Sequence, residues 1–159
     1  MAQDPVDSPI LFVADSIASP EGVPLLVTSV QAVDIDADGT IEILVSDAQR
    51  NTVSMLSMVD DRWTEKVIGY VAAPAEVHDF DGEGDQDIVV ASLGSLPPTD
   101  ELVGSVVLLR SISDGYQTEV LLSDVGRVAD VRVGDIDADG DIDLAVAIFV
   151  HISTGAIVW

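Results

Sequence analysis

Three stretches of the chain alternate apolar and polar side chains, and each is followed within about ten residues by an uninterrupted β-prone run. Val30 and Ala32, Ala75 and Val77, and Val131 and Val133 flank polar Gln31, Glu76 and Arg132. This period of two predicts strands with one buried face. The runs that follow, residues 41–45, 87–91 and 143–150, are rich in Ile, Leu, Val and Ala and suit strands covered on both faces. Residues 51–56, 104–109 and 155–159 predict a third strand in each unit, and residues 63–71 and 116–122 a fourth in the first two. Residues 10–14, Ile-Leu-Phe-Val-Ala, read as a fourth strand with no unit in front of it. No segment sustains a helical period, and Gly, Pro and Asp clusters interrupt the apolar runs at short intervals. The expectation is an all-β chain.

Between the first and second strand of each unit lies the same acidic loop, D-x-D-x-[DE]-G-x-x-[DE]. The loops begin at Asp34, Asp79 and Asp135, at intervals of 45 and 56 residues. Such spacing fits a four-stranded propeller blade of about 40–50 residues, with the longer interval absorbed by an insertion around residues 95–104. The expected organisation is a tail over residues 1–8, then a blade array over 9–159. Its units cover about 28–71, 72–122 and 127–159, with residues 10–14 as the stray strand. Closed propellers have about four to eight blades. Three therefore imply a piece of a longer protein or several copies assembled, as a ring or a filament.

Charge narrows the function. The 159 residues are 48% hydrophobic, so a core is expected, yet 29 acids against 6 basic residues give a net charge of −23. That field repels phosphate backbones and anionic lipid, which excludes nucleic acid as a partner. The longest apolar run, from residue 144 to 150, is far short of the ~18 residues of a membrane span, so no membrane insertion is expected. The acidic N-terminus, Met-Ala-Gln-Asp-Pro-Val-Asp, lacks the basic and apolar regions of a signal peptide. Cysteine is absent, so neither disulfides nor thiolate metal sites brace the fold. Clustered carboxylates instead suit a hard, oxygen-ligated cation.

Calcium takes six to eight oxygen ligands, and carboxylates at alternate positions of a tight loop converge on one centre. Positions 1, 3, 5 and 9 are Asp34, Asp36, Asp38 and Glu42 in the first loop. They are Asp79, Asp81, Glu83 and Asp87 in the second, and Asp135, Asp137, Asp139 and Asp143 in the third. Position 7, at Thr40, Asp85 and Asp141, offers its backbone carbonyl. Position 6 is Gly39, Gly84 or Gly140, where a sharp turn needs a permissive backbone. Position 2, at Ile35, Phe80 and Ile136, is expected to point the other way and plug the loop into the core. An EF-hand is excluded, because its bidentate Glu at position 12 is replaced here by Val45, Val90 and Val146.

Loop, glycine, acidic ninth position and both flanking strands recur together three times, and in this the chain resembles the FG-GAP/VCBS repeat family, the integrin-α-like propeller blades. The resemblance runs from about residue 10 to 159. It implies an all-β array of calcium-binding blades with one ion per loop, about three Ca2+ per chain. Glu42 at position 9 and Glu83 at position 5 depart from the pattern by a longer arm. No Phe-Gly…Gly-Ala-Pro signature is present, so the VCBS-like side of the family is the better match.

Nothing outside the loops suggests catalysis. His78 and His151 fall in no multi-His pattern, and Gly82-Glu83-Gly84 lies inside a loop rather than a dinucleotide fingerprint. There is no G-x-S-x-G, no P-loop and no cysteine nucleophile. Trp63 and Trp159 read as packing between blades, with sugar stacking the alternative. The sole asparagine, Asn51, begins no glycosylation sequon. The expectation is a non-enzymatic, calcium-binding, extracellular or cell-surface module. It acts as a structural or assembly subunit, a homo-oligomer or filament joined head-to-tail by strand exchange. The alternative is a protein- or carbohydrate-binding adhesion module.

Overall fold

The computed structural model describes residue 17 and residues 24–71, 75–150 and 156–158, with Ala156 and Ile157 described by backbone only. The expected strand at residues 10–14, His151, Gly155 and Trp159 lie outside these residues. Strands β1 (Val27–Val33), β2 (Glu42–Asp47), β3 (Thr52–Val59) and β4 (Arg62–Gly69) form the first sheet. The second holds β5 (Ala75–His78), β6 (Asp87–Ser92), β7 (Gly104–Ile112) and β8 (Gly115–Val125). In the third are β9 (Arg127–Gly134), β10 (Asp143–Phe149) and β11 (Ala156–Val158). Each sheet is an antiparallel meander in chain order, and no helix occurs among the described residues. The protein is all-β with propeller-like sheets, as the alternating pattern predicts.

Local chemistry sets the turns. β3 and β4 join through Asp60 and Asp61, both left-handed at φ 50° and 59°, the two-residue turn whose twist matches paired strands. Asp and Asn tolerate that region better than other side chains, and the turn aligns Val59 with Arg62. At the opposite end of the first sheet, Asp47 is fully buried and accepts hydrogen bonds from Leu26 N (3.0 Å), Gln49 N (2.9 Å) and Arg50 Nε (2.6 Å). Arg50 also forks onto Glu65 at 2.6 and 3.2 Å. This network pins the β2–β3 turn to β4.

Two apolar layers hold the sheets together. Ile35, Leu44 and Val53 of the first sheet unit pack with Ala75, Ile88, Val90, Val107 and Leu109 of the second. Val89, Ala91, Val106 and Leu108, from the other face of the second sheet, pack with Val128, Val131 and Val146 of the third. The apolar run of β6 is thereby buried on both faces, Ile88 and Val90 on one and Val89 and Ala91 on the other. The matching runs in β2 and β10 are not: Ile43, Val45, Ala145 and Ala147 stay half-buried. The outer sheets have a packed partner on one side among the described residues, and this limits their burial. Sheets two and three approach so closely that a Cβ on Gly104 would lie 2.0 Å from the Gly126 carbonyl oxygen. The first strands β1, β5 and β9 flank a polar groove of about 320 Å³, lined by Ser29, Gln31, Glu76, Asp130 and Arg132. Arg132 bridges Glu76 and Asp130 there.

Candidate metal centres in the acidic loops

Each loop lies between the first and second strand of its sheet, where the chain reverses within eight residues. In the first loop Asp34 does the folding: Oδ1 accepts from Asp38 N (3.1 Å) and Oδ2 from Gly39 N (3.0 Å). The Asp36 carboxylate accepts from Asp38 N (3.3 Å), Asp38 from Thr40 N (2.7 Å), and Glu42 from Ile35 N (3.0 Å). The third loop repeats every contact with Asp135, Asp137, Asp139 and Asp143 in the corresponding roles, at 2.9 to 3.2 Å. Short acidic side chains thus fix the turn through backbone N–H groups that no strand pairing satisfies.

The fourth position is left-handed in all three loops, at Ala37 (φ 55°), Gly82 (φ 74°) and Ala138 (φ 62°), and so is the sixth glycine at φ 89°, 96° and 98°. The sequence reading recognised the sixth position and missed the fourth. Gly82 was the one hint, because alanine in two of the three loops hides the requirement.

The carboxylates gather in two ways. In loops one and three, positions 1, 3 and 9 meet: Asp34, Asp36 and Glu42, and likewise Asp135, Asp137 and Asp143, have ligand oxygens within 4.8 Å of one another. Asp38 and Asp139 at position 5 lie outside these clusters and cap position 7, and the Asp141 carboxylate also lies outside. In loop two the cluster is instead Asp81, Glu83 and Asp85. Asp79 holds the turn through Gly82 N (2.8 Å) and Gly84 N (3.0 Å). Asp87 is 1% exposed, and its Oδ1 accepts from Ser111 N at 2.7 Å. The buried Oδ2 of Asp87 has no protein partner.

Two residues that the sequence reading did not single out shape this region. Arg110 of β7 reaches Asp81 Oδ2 (3.0 Å) and Glu119 (3.4 Å); among the described residues, Asp81 alone of the loop acids pairs with a cation. The bond to Asp81 is the main reason that the Arg110 guanidinium is held above its ordinary value. Tyr116 of β8 packs against the first apolar layer. Burial, and then the negative charge of Asp87, Asp85, Asp36 and Glu42, push its phenol up to about 12. One tyrosine thus senses acids of two loops. Neither contact was visible in the sequence, because each depends on pairing across β7 and β8.

The second position departs from expectation once. Ile35 is buried at 3% exposure in the first layer, and Phe80 packs against the second, its ring 5.4 Å from that of His78 in an edge-on contact. Ile136, expected to plug the third loop into the core, is 51% exposed. A packed sheet lies beyond the first and second loops on that side and, among the described residues, none lies beyond the third. His78 ends β5, and Trp63 lies half-buried in β4. No helix among the described residues is long and apolar enough to cross a membrane.

Residues 79–146 match the FG-GAP-like repeat family. The FG-GAP-like stretch starts at the first acid of loop two and ends inside β10, so it takes in two loops and the whole second apolar layer. No curated protein and no solved structure matches the chain.

The side chains gathered in the three loops are all carboxylates. All are hard oxygens, which suit calcium and not the softer transition metals. A buried carboxylate oxygen without a partner, as at Asp87, is costly unless a cation or water completes it.

Proposed function

We propose that this chain is a calcium-binding, β-propeller-type repeat module of an extracellular or cell-surface protein, with a structural or assembly role rather than an enzymatic one. The observation that carries the reading is the convergence of three carboxylate oxygens within 4.8 Å in every loop. Such groups repel one another unless a cation neutralises them. Asp34, Asp36 and Glu42, then Asp81, Glu83 and Asp85, then Asp135, Asp137 and Asp143 would hold the ions. A bound cation supplies neutralisation and cross-links the two strands flanking each loop. At millimolar extracellular calcium, even sites with Kd of about 10⁻⁴–10⁻³ M stay filled.

The assembly part of the reading rests on edges. β11 is the last strand of the third sheet, paired on one side only among the described residues, and an unpaired apolar edge is an aggregation hazard unless covered. In this reading a strand from a neighbouring copy covers that edge.

Isothermal calorimetry with calcium tests the site assignment. About three ions per chain are expected, with loss of about one when Asp135 and Asp137 are both changed to Asn. Changing Asp60 and Asp61 to Asn, which keeps residues tolerant of their left-handed turn, should leave the stoichiometry intact. A chain that binds no calcium at millimolar concentration, or variants that lose calcium equally, would sink the assignment.

A further inference from the structure

Loop two differs from the other two in what β7 does to it. In loops one and three the ninth-position acid turns back onto its own loop, Glu42 accepting from Ile35 N (3.0 Å) and Asp143 from Ile136 N (2.9 Å). In loop two the ninth acid, Asp87, accepts instead from Ser111 N of β7 at 2.7 Å. The adjacent Arg110 places Nη1 3.0 Å from Asp81 Oδ2. Asp81 belongs to the carboxylate cluster of that loop, with Glu83 and Asp85, so a fixed cation already touches one of its oxygens. Leu109 pairs with Ile88 and Leu56 with Ile43, which puts Ser57 of the first sheet in the place of Arg110. Among the described residues, no basic side chain reaches the clusters of loops one and three.

We propose that Arg110 is a tethered competitor for calcium at loop two, which makes that loop the weakest of the three sites, the one that fills last and empties first. The inference rests on the calcium reading above and adds a regulator to it. A cation held by Asp81, Glu83 and Asp85 meets the guanidinium across Asp81 Oδ2, and like charges so close repel. Glu119 of β8 relieves the conflict. Its Oε2 lies 3.4 Å from Arg110 Nη2, so the guanidinium spans both carboxylates and can let go of Asp81 with little movement of its stem. Arg110 thus passes from Asp81 to Glu119 when the loop fills. With the loop empty, the same guanidinium ties the β5–β6 turn to β7 and offsets part of the acidic charge there. The Arg110–Asp81 pair is partly exposed on both sides, a setting in which an ion pair contributes little and is readily broken. The exchange is therefore reversible.

Calorimetric calcium titration of the full chain tests the proposal, with melting by circular dichroism to show that each variant folds. The unaltered chain should bind two ions more tightly and one more weakly. Arg110→Gln should tighten the weak one about tenfold, the size expected from lifting a partly screened repulsion and a surface ion pair, with the stoichiometry unchanged. Glu119→Gln removes the resting place of the guanidinium and should weaken the same ion by about two- to threefold. Lys66→Gln, on an exposed residue of β4, removes one positive charge elsewhere and should leave the three affinities close to those of the parent. The turn hydrogen bonds of loop two are accepted by Asp79 and Asp81, so Glu83→Gln with Asp85→Asn takes away ligands and keeps the turn. In that background the weak ion should be gone and Arg110→Gln should change nothing. Equal tightening by Arg110→Gln and Lys66→Gln would reduce the effect to net charge and overturn the proposal. So would affinities indifferent to Arg110, or a tightening that persists without Glu83 and Asp85. Each of those results leaves the calcium reading standing, whereas a chain that binds no calcium defeats that reading and the role of Arg110 together.

Discussion

Ile35 and Ile136 occupy the same position of the same loop, and truncating each to alanine isolates what sheet stacking contributes. The change removes three carbons, worth about 0.8 kcal/mol each when fully buried. At Ile35, nearly all of that transfer energy is lost, roughly 2.4 kcal/mol. A cavity term adds to it, because the neighbours Ile88, Val90 and Leu109 are fully buried strand residues with little room to collapse. A total of about 3–4 kcal/mol follows, within the usual 2–5 kcal/mol for large-to-small core changes. At Ile136, with half its surface in water, the transfer loss is roughly 1.2 kcal/mol and no closed cavity forms. Changes in strand and turn propensity are common to both sites and cancel in the comparison. Urea unfolding, at protein concentrations low enough to keep the chain monomeric, should therefore separate Ile35→Ala from Ile136→Ala by about 2 kcal/mol with unchanged m. In melting temperature the Ile35 variant should fall by roughly 6–16 °C, at about 2–4 °C per kcal/mol for a chain of this size. Losses within about 0.5 kcal/mol of each other would refute the reasoning, because position two would then owe nothing to the neighbouring sheet.

Acid should attack the Asp47–Arg50–Glu65 network. Burial works to raise Asp47, but the Leu26 N–H, the Arg50 guanidinium and the Gln49 N–H outweigh it and hold the carboxyl below its ordinary value; Arg50 above all does the same for Glu65. Both groups bind protons less readily folded than unfolded, so their stabilisation is present above about pH 4–5 and lost as pH falls through the folded values; Arg50→Gln should flatten that acid limb in circular-dichroism titrations. Tyr116 runs the other way: raised to about 12, it contributes stability below about pH 10 that disappears as pH climbs through the folded value. Calcium should move its midpoint down by neutralising the carboxylates around it, read as tyrosinate absorbance in a Tyr70→Phe background, and an unmoved midpoint would count against filled loops one and two. Glycine in place of both Ala37 and Ala138 should raise stability by roughly 0.5–1 kcal/mol per site, since about 1–2 kcal/mol of left-handed strain outweighs the added chain entropy; a loss of stability would contradict the loop geometry.

Periodicity and spacing alone determined the class of fold and its repeat. Val30-Gln31-Ala32 and its two counterparts mark strands because side chains on a strand alternate between faces, although in the first of them Val30 and Ala32 are exposed and Gln31 is half-buried, the reverse of the expected burial. Asp34, Asp79 and Asp135 mark the turns because a carboxylate at the start of a loop satisfies backbone N–H groups that lack strand partners. These effects act over a few residues, and a linear sequence records them directly. The tertiary structure decided what depends on neighbours distant in the chain. Identical loop patterns yield clusters from positions 1, 3 and 9 around Asp34 and Asp135, but from positions 3, 5 and 7 around Asp81, where Ser111 of β7 draws Asp87 away and Arg110 holds Asp81. Likewise Ile35 is core and Ile136 is surface, although the residues around them spell the same motif. Burial belongs to the pair of sheets that share an interface, and the motif describes only one of the two.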